Sequence, residues 1–194
     1  MCSEINNLFF YKPELMNTVT EKIRTLCADK NISVIVEQIQ QILNSQIIPS
    51  LSSLIKIARA LGVRLGTFLD DSEFFGPVVN RSADKQQAAT FSSQLSTANS
   101  HMDFFSLASR KAARHMEPFL IDLKPSADGE KVSSSHEGEE FLYVLSGSVL
   151  VQYGKERYIL NQGDSIYYDS IVDHLVTTAN DQPAQILGIV YSPF

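Results

Sequence analysis

Basic residues are the minority charge in this chain: 16 lysines and arginines stand against 22 acidic residues, a formal net charge of −6. A protein that coats nucleic acid regardless of sequence needs a broad positive surface, so that class is excluded and any DNA contact must come from a local patch. Cysteine is scarce as well. Cys2 and Cys27 have no paired spacing, which excludes a disulfide framework and a thiolate metal site and makes a reducing cytoplasm the expected compartment. No apolar run is long enough to span a bilayer. The cluster Leu8-Phe9-Phe10-Tyr11 follows acidic Glu4 and lacks the small-residue cleavage site of a secretory leader, so no membrane partner is expected. Self-similarity at the periods of solenoid proteins is also absent.

What is present divides into regions of different period. With 194 residues, 44% of them hydrophobic, the chain can bury the core of one medium domain or two small ones. Val19, Ile23 and Leu26 share one helical face, and Ile35, Ile39, Ile42 and Leu43 form a second stripe within Ile32 to Leu43. Leu51, Leu54, Ile55, Ala58 and Leu61 form the clearest stripe, with Pro49 suited to a first helical turn and Gly62 as a stop. Val63 to Leu69 reads as a short closing helix. From Asp70 to about Ser100 the composition turns polar, Pro77 breaks any long helix, and Phe91 and Val78-Val79 suggest edge strands. Beyond Met102 come short apolar or alternating runs, among them Phe119–Leu123, Phe141–Leu145, Ser148–Tyr153, Arg157–Leu160, Ser165–Tyr168 and Ala184–Tyr191. Turn residues separate them at Ala127-Asp128-Gly129, Ser146-Gly147, Tyr153-Gly154-Lys155 and Asn161-Gln162-Gly163. Many short strands with regular turns mean a sandwich or barrel. The expected organisation is therefore α+β and multidomain: an N-terminal extension over 1–16, an all-α domain over 17–71, a connector with edge strands over 72–101, and an all-β domain over 102–194.

The run Ser134-Ser135-His136-Glu137-Gly138-Glu139-Glu140, followed by Gly147, and the pair Gly163 and His174 carry a resemblance to the two motifs of the cupin family, small double-stranded β-helix barrels. The family's first motif has two histidines one residue apart, a glutamate four residues after the second and a glycine seven beyond; His136, Glu140 and Gly147 keep that spacing, and Ser134 stands in the first histidine's place. In the second motif a glycine precedes a histidine by eleven residues, as Gly163 precedes His174, while the proline and glycine between are Asp169 and Ile171. The resemblance implies a barrel with inward side chains, and β-strand alternation lets His136, Glu140 and His174 converge from neighbouring strands. Two imidazoles and a carboxylate suit a divalent first-row metal with open coordination positions. Equally, the histidines could hydrogen-bond an organic ligand with no ion, since the Ser134 hydroxyl is a poor ligand for such metals. The acidic cluster Glu137, Glu139 and Glu140 reads most simply as a solvated turn with one carboxylate turned inward. Ser134, Arg114, Tyr143 and Tyr168 are further candidates for the pocket lining.

Pro49-Ser50-Leu51-Ser52-Ser53-Leu54-Ile55-Lys56-Ile57-Ala58-Arg59-Ala60-Leu61-Gly62-Val63 resembles the last core helix of the repressor-like, or XRE-type, helix-turn-helix family, and Glu21-Lys22-Ile23-Arg24 resembles its first. Between Ser33 and Pro49 this chain is about nine residues short of that family, roughly two and a half helical turns. Val36 to Asn44 best matches the recognition helix, so the positioning helix is the one lost. Gln38, Gln41 and Asn44 are the candidates for reading bases, because amides pair bidentately with adenine. That stretch has no lysine or arginine, so phosphate attraction must come from elsewhere, chiefly Lys56 and Arg59.

The order of the two parts resembles a regulator architecture. It implies operator DNA and a small-molecule effector as partners, and a homodimer, because two-fold operators use two recognition elements one DNA turn apart. Under that reading the chain is not an enzyme. The residues leave two alternatives open: a metal-dependent cupin oxygenase or isomerase, and a sensor relative that has lost direct DNA binding.

Overall fold

Side-chain alternation along the C-terminal strands dictates how they must stack. In β3 (Met116–Leu123) and β9 (Ala184–Tyr191) every second residue is buried, which requires one sheet face to close against another layer. The computed structural model describes residues 13–29, 50–69, 74–83, 90–91, 102–125 and 133–193, and these are mostly β. The strands are β1 (Thr90–Phe91), β2 (Met102–Ser106), β3, β4 (Glu139–Ser146), β5 (Ser148–Tyr153), β6 (Glu156–Asn161), β7 (Ser165–Asp169), β8 (His174–Thr178) and β9. A six-stranded sheet has the order β1-β2-β3-β9-β4-β7 and a three-stranded sheet the order β6-β5-β8; the strand pairs within them are antiparallel. Their inner faces meet in one core that includes Phe119, Ile121, Val144 and Ile186 from the first sheet and Val149, Val151 and Val176 from the second. Phe104 stands edge-on to Phe119, with ring centroids 5.9 Å apart.

Among the described residues the helices are α1 (Pro13–Asp29), α2 (Leu51–Ala60) and α3 (Gly66–Leu69). Helix α1 begins at Pro13, four residues before the boundary expected at 17. Ser50 caps α2, its hydroxyl accepting from the Ser53 amide at 3.2 Å. Pro49, expected in a first helical turn, lies outside the described residues. Leu54, Ile57, Ala58 and Leu61 pack with Val19, Ile23, Cys27, Leu65 and Phe68 into the same buried cluster. Gly66 lets the helical part settle on the barrel: a side chain there would begin 3.0 Å from Glu117 Oε1 and 3.3 Å from the Arg114 guanidinium. The expected helix from Ile32 to Leu43, with Gln38, Gln41 and Asn44 on or beside it, lies outside the described residues, as does the turn at Ala127–Gly129.

Phe91 does take an edge position, pairing with Phe104, whereas Val78-Val79 is irregular. That segment holds on by side chain to backbone: Arg110 Nη2 donates to the Val79 carbonyl at 3.0 Å and Asn80 donates to that of Leu107. The expected turn glycines at 147, 154 and 163 all have positive φ, which permits their tight reversals.

Gly138 is the most constrained. Its φ is +107°, and a Cβ would fall 2.0 Å from the Tyr191 carbonyl oxygen, so backbone of β9 occupies the space of a side chain. The expected consequence of Gly138→Ala is a loss of about 3 kcal/mol or more in chemical denaturation, from strain and steric conflict together. Gly154→Ala, where the new atom meets only Val172 Cγ1 at 3.5 Å, is expected to cost about 1–2 kcal/mol.

Candidate metal centre

Three backbone pairings bring the centre together. Ser134 and His174 exchange amide-to-carbonyl bonds of 2.8 and 2.9 Å, tying the strand that leads into β4 to the start of β8. The His136 amide donates to the Ser170 carbonyl, and the Ser170 amide to the Gly138 carbonyl. On β4, Glu140 falls on the inner parity with Leu142 and Val144, all buried. His136, Glu140 and His174 consequently meet with ligand atoms all within 4.8 Å of one another, and each is buried. Of the acidic cluster, Glu140 alone is buried; Glu137 pairs with Arg59 and Glu139 accepts from the Tyr167 hydroxyl.

Both imidazoles are oriented by backbone. His136 Nδ1 lies 3.1 Å from the Glu137 carbonyl and His174 Nδ1 lies 2.9 Å from that of Val172. A carbonyl only accepts, so each Nδ1 carries a proton, and each Nε2 faces Glu140, to which it donates when the imidazole is charged. His136 Nε2 is 2.7 Å and His174 Nε2 3.5 Å from Glu140 Oε1. The second carboxylate oxygen accepts from the Tyr168 hydroxyl at 2.5 Å, and Ser134 Oγ lies 3.0 Å from His174 Nε2. The rings of His136 and His174 stand nearly perpendicular, centroids 5.4 Å apart.

Burial alone would push the Glu140 carboxyl upward, but the hydrogen bonds from His136 and His174 and their positive charge outweigh it and hold it at about 2. For His174, burial pulls downward, and the hydrogen bond and charge of Glu140 overcome it, so its pKa is raised. Burial and the neighbouring carboxylate together raise the Tyr168 phenol, which stays a hydrogen-bond donor at neutral pH.

A cavity of about 100 Å³ opens beside these groups. Met102, Phe104, Ile121, Leu142, Leu175, Val176, Ile186 and Val190 give it apolar walls, and Gly188 leaves room in β9. Ser134, expected in the pocket, is there. Tyr168 is at the centre through its hydroxyl. Tyr143 and Arg114 are not brought to it. Tyr143 has the opposite parity to Glu140 on β4 and is 38% exposed on the outer face. Arg114 is committed to a buried ion pair, its Nε 2.7 Å from Glu117 Oε2, with Nη1 donating to the Lys111 carbonyl. Lys56 and Arg59, expected to serve phosphate, lie along the barrel rim in a cleft shared with Ser135, His136 and Glu137, where Arg59 pairs with Glu137. The sequence reading missed Ser50, Leu51 and Ser52 at the start of α2, which line the cavity opposite the centre; no local pattern places a helix cap against a barrel mouth some eighty residues later in the chain.

The two titrations act on stability with opposite signs. The depressed Glu140 value stabilises the fold above the ordinary 4.5 and that gain is lost as pH falls toward about 2. The raised His174 value stabilises fully below the ordinary 6.5 and its gain is lost as pH rises through the folded value. Metal-free protein is therefore expected to draw most stability from this cluster between those two ordinary values, with an alkaline fall that His174→Gln flattens. Denaturant titrations across pH check this; an alkaline fall equal in both proteins contradicts it.

Residues 119–190 match the family model described as the cupin domain. The curated (S)-2-hydroxypropylphosphonic acid epoxidase of Streptomyces wedmorensis is 27% identical over 145 residues, covering 67% of this chain and 68% of that protein. Among solved structures, an HTH_3 family transcriptional regulator from Vibrio cholerae superposes with a TM-score of 0.66 at 19% identity, covering 94% of this chain and 99% of that one. An Fe(II) form of HppE superposes with a TM-score of 0.51 at 17% identity, covering 91% and 100%. Structural likeness at these identities speaks to fold. Family match, strand order and the converging histidines and glutamate agree: the barrel of this chain is a cupin domain.

Proposed function

We propose that this chain is a cytoplasmic, ligand-responsive transcriptional regulator of the XRE type, working as a homodimer. In this reading the cupin barrel holds a divalent metal and a small effector, and the N-terminal helices pass the response to operator DNA. The observation that supports it is the shared cavity wall: Ser50, Leu51 and Ser52 of the helical part face the same space as His136, Glu140 and His174. A molecule in the barrel touches both parts at once, so its binding energy differs between their arrangements, which is the requirement for shifting a population. The likeness over most of the chain to an HTH_3 regulator supports the same reading.

The donor set fits a divalent first-row ion. Both Nε2 atoms face a buried carboxylate, both Nδ1 atoms are held by backbone carbonyls in the manner that orients metal-ligating histidines, and Tyr168 holds the other carboxylate oxygen. When bound, such an ion supplies a positive centre with positions open to an effector oxygen. Proton and metal compete for the same Nε2 lone pair. One equivalent of Mn²⁺ or Fe²⁺ is expected to bind the chelator-stripped protein, with His174→Ala or Glu140→Gln weakening it at least about tenfold; unchanged stoichiometric binding in both variants removes the metal from the proposal.

Arg59 supplies the link to DNA. It cannot sit on a phosphate and on Glu137 at once, and Glu137 is the neighbour of a centre histidine. The test is fluorescence anisotropy of the full chain against its own upstream duplex and a scrambled one, over a salt series, with metal-loaded and stripped protein. Expected are sequence-specific binding with a steep salt slope, an effect of metal of about fivefold or more, and a smaller metal effect in Glu137→Gln. A folded protein that prefers neither duplex overturns the regulator.

A second reading, a metal-dependent cupin enzyme, is favoured by the identity shared with the epoxidase and by the same three side chains. Consumption of (S)-2-hydroxypropylphosphonic acid or dioxygen by the Fe²⁺-loaded protein, absent from His174→Ala, would establish it in place of the first.

A further inference from the structure

One wall of the barrel cavity is a register row: Phe104 on β2 pairs with Ile121 on β3, and Ile121 with Ile186 on β9. Leu142 and Val176 also face the space. Polar side chains reach it from two places only. His136, Glu140, His174 and Ser134 do so at the centre, and Ser50 and Ser52 at the first turn of α2. Ser50 is occupied as a cap, its hydroxyl bonded to the Ser53 amide at 3.2 Å and to the Ser53 hydroxyl at 2.9 Å. Among the described residues neither lysine nor arginine lines the cavity. Lys56 and Arg59 lie in the neighbouring cleft, and Arg114 is bound to Glu117.

Given the reading above, in which a small molecule enters this barrel, we propose that the molecule is an uncharged ketone or alcohol with a short aliphatic body. Its one oxygen lies beside Ser134, and its carbons lie against Phe104, Ile121 and Ile186. Size follows from the walls: an apolar cavity of ~150 Å³ takes benzene, so the about 100 Å³ here suits roughly four to six non-hydrogen atoms. Charge is selected by what the walls lack. A phosphonate brings three oxygens, of which the open positions of an ion and the Ser134 hydroxyl can meet one or two. The remainder faces hydrocarbon, where an oxygen loses its water and gains no donor. Glu140, itself a buried carboxylate, repels a second anion. A single oxygen is met in full. Ser134 Oγ lies 3.0 Å from His174 Nε2; when that lone pair serves a metal ion instead, the hydroxyl loses its acceptor and can donate to an oxygen entering beside the centre. The class also separates this chain from the epoxidase, whose name is that of a phosphonic acid.

The test is isothermal titration of the full chain, Mn²⁺-loaded and metal-free, with 2-butanone, 2-butanol and (S)-2-hydroxypropylphosphonic acid. The acid carries a phosphonate where 2-butanol has a terminal methyl, so that pair isolates charge. Both neutral probes are expected to bind saturably and at least about tenfold tighter than the acid. Ser134→Ala is expected to weaken them about fivefold in the loaded protein. Two variants move the cavity volume in opposite directions, and circular dichroism verifies that each folds. Gly188→Ala, whose new Cβ would meet Ile121 Cδ1 at 2.8 Å, is expected to displace that side chain within the cavity and weaken 2-butanone at least about fivefold. Met102→Ala, at a half-buried position of the lining, is expected to shift preference from 2-butanone toward 2-hexanone. The proposal is overturned by a phosphonate bound as tightly as 2-butanol, by neutral probes that do not saturate, or by folded Gly188→Ala and Met102→Ala proteins that both bind as wild type does. Mn²⁺ that fails to bind counts against the metal alone, because the ranking of probes in metal-free protein still decides their class. A chain that ignores DNA counts against the regulator alone, because no DNA enters the titration.

Discussion

Glu140 is a carboxylate taken out of water on the inner parity of β4, and a charge so placed must be met from every side or be neutralised. Each of its oxygens has a partner: Oε1 faces His136 and His174, and Oε2 accepts from Tyr168. Those partners come from the segment before β4, from β8 and from β7. A single buried anion thus makes the relative placement of three parts of the barrel interdependent. The hydrogen bonds that hold its pKa down are the same ones that turn both Nε2 atoms inward, so electrostatic satisfaction and ligand geometry are one arrangement here.

Backbone supports this arrangement at points where side chains cannot. Gly138 lies between His136 and Glu140, with its α-carbon pressed against the Tyr191 carbonyl, and its own carbonyl accepts from Ser170. The close approach fixes how far the His136 segment stands from β9. The reciprocal pairing of Ser134 with His174 fixes it from the other side. In the family's motif the position of Ser134 is a histidine; here a hydroxyl bonds the His174 ring at that place. The substitution leaves two imidazoles and one carboxylate at the centre among the described residues.

The barrel and the three residues at its centre were legible because both rest on local signals: alternation gives strands, glycine gives turns, and motif spacing places His136, Glu140 and His174. Ser148–Tyr153 and Ala184–Tyr191 came out with the expected ends. His174–Thr178 was expected as a strand only through the motif spacing that places His174, not from its own pattern, because all five of its residues are buried and a fully buried run has no alternation to detect. Tyr143 and Tyr168 look alike in sequence and differ only in parity relative to Glu140, which needs the register of β4 and β7. Arg114 looked available until Glu117, a buried acid three residues on, claimed it. The contact between α2 and the barrel mouth joins residues some eighty positions apart, and no local pattern encodes such a contact.

That contact changes what the helical part can do. Arg59 lies on the rim of the barrel with Glu137, while the other end of α2 lines the cavity through Ser50, Leu51 and Ser52. One rigid helix of ten residues, on the order of 15 Å long, therefore touches the cavity at its first turn and the segment bearing His136 at its last. A lever so placed needs no long chain of coupled side chains between the cavity and the Arg59–Glu137 pair. Whatever alters the seat of the first turn must alter the register of Arg59 against Glu137, because the helix between them does not stretch.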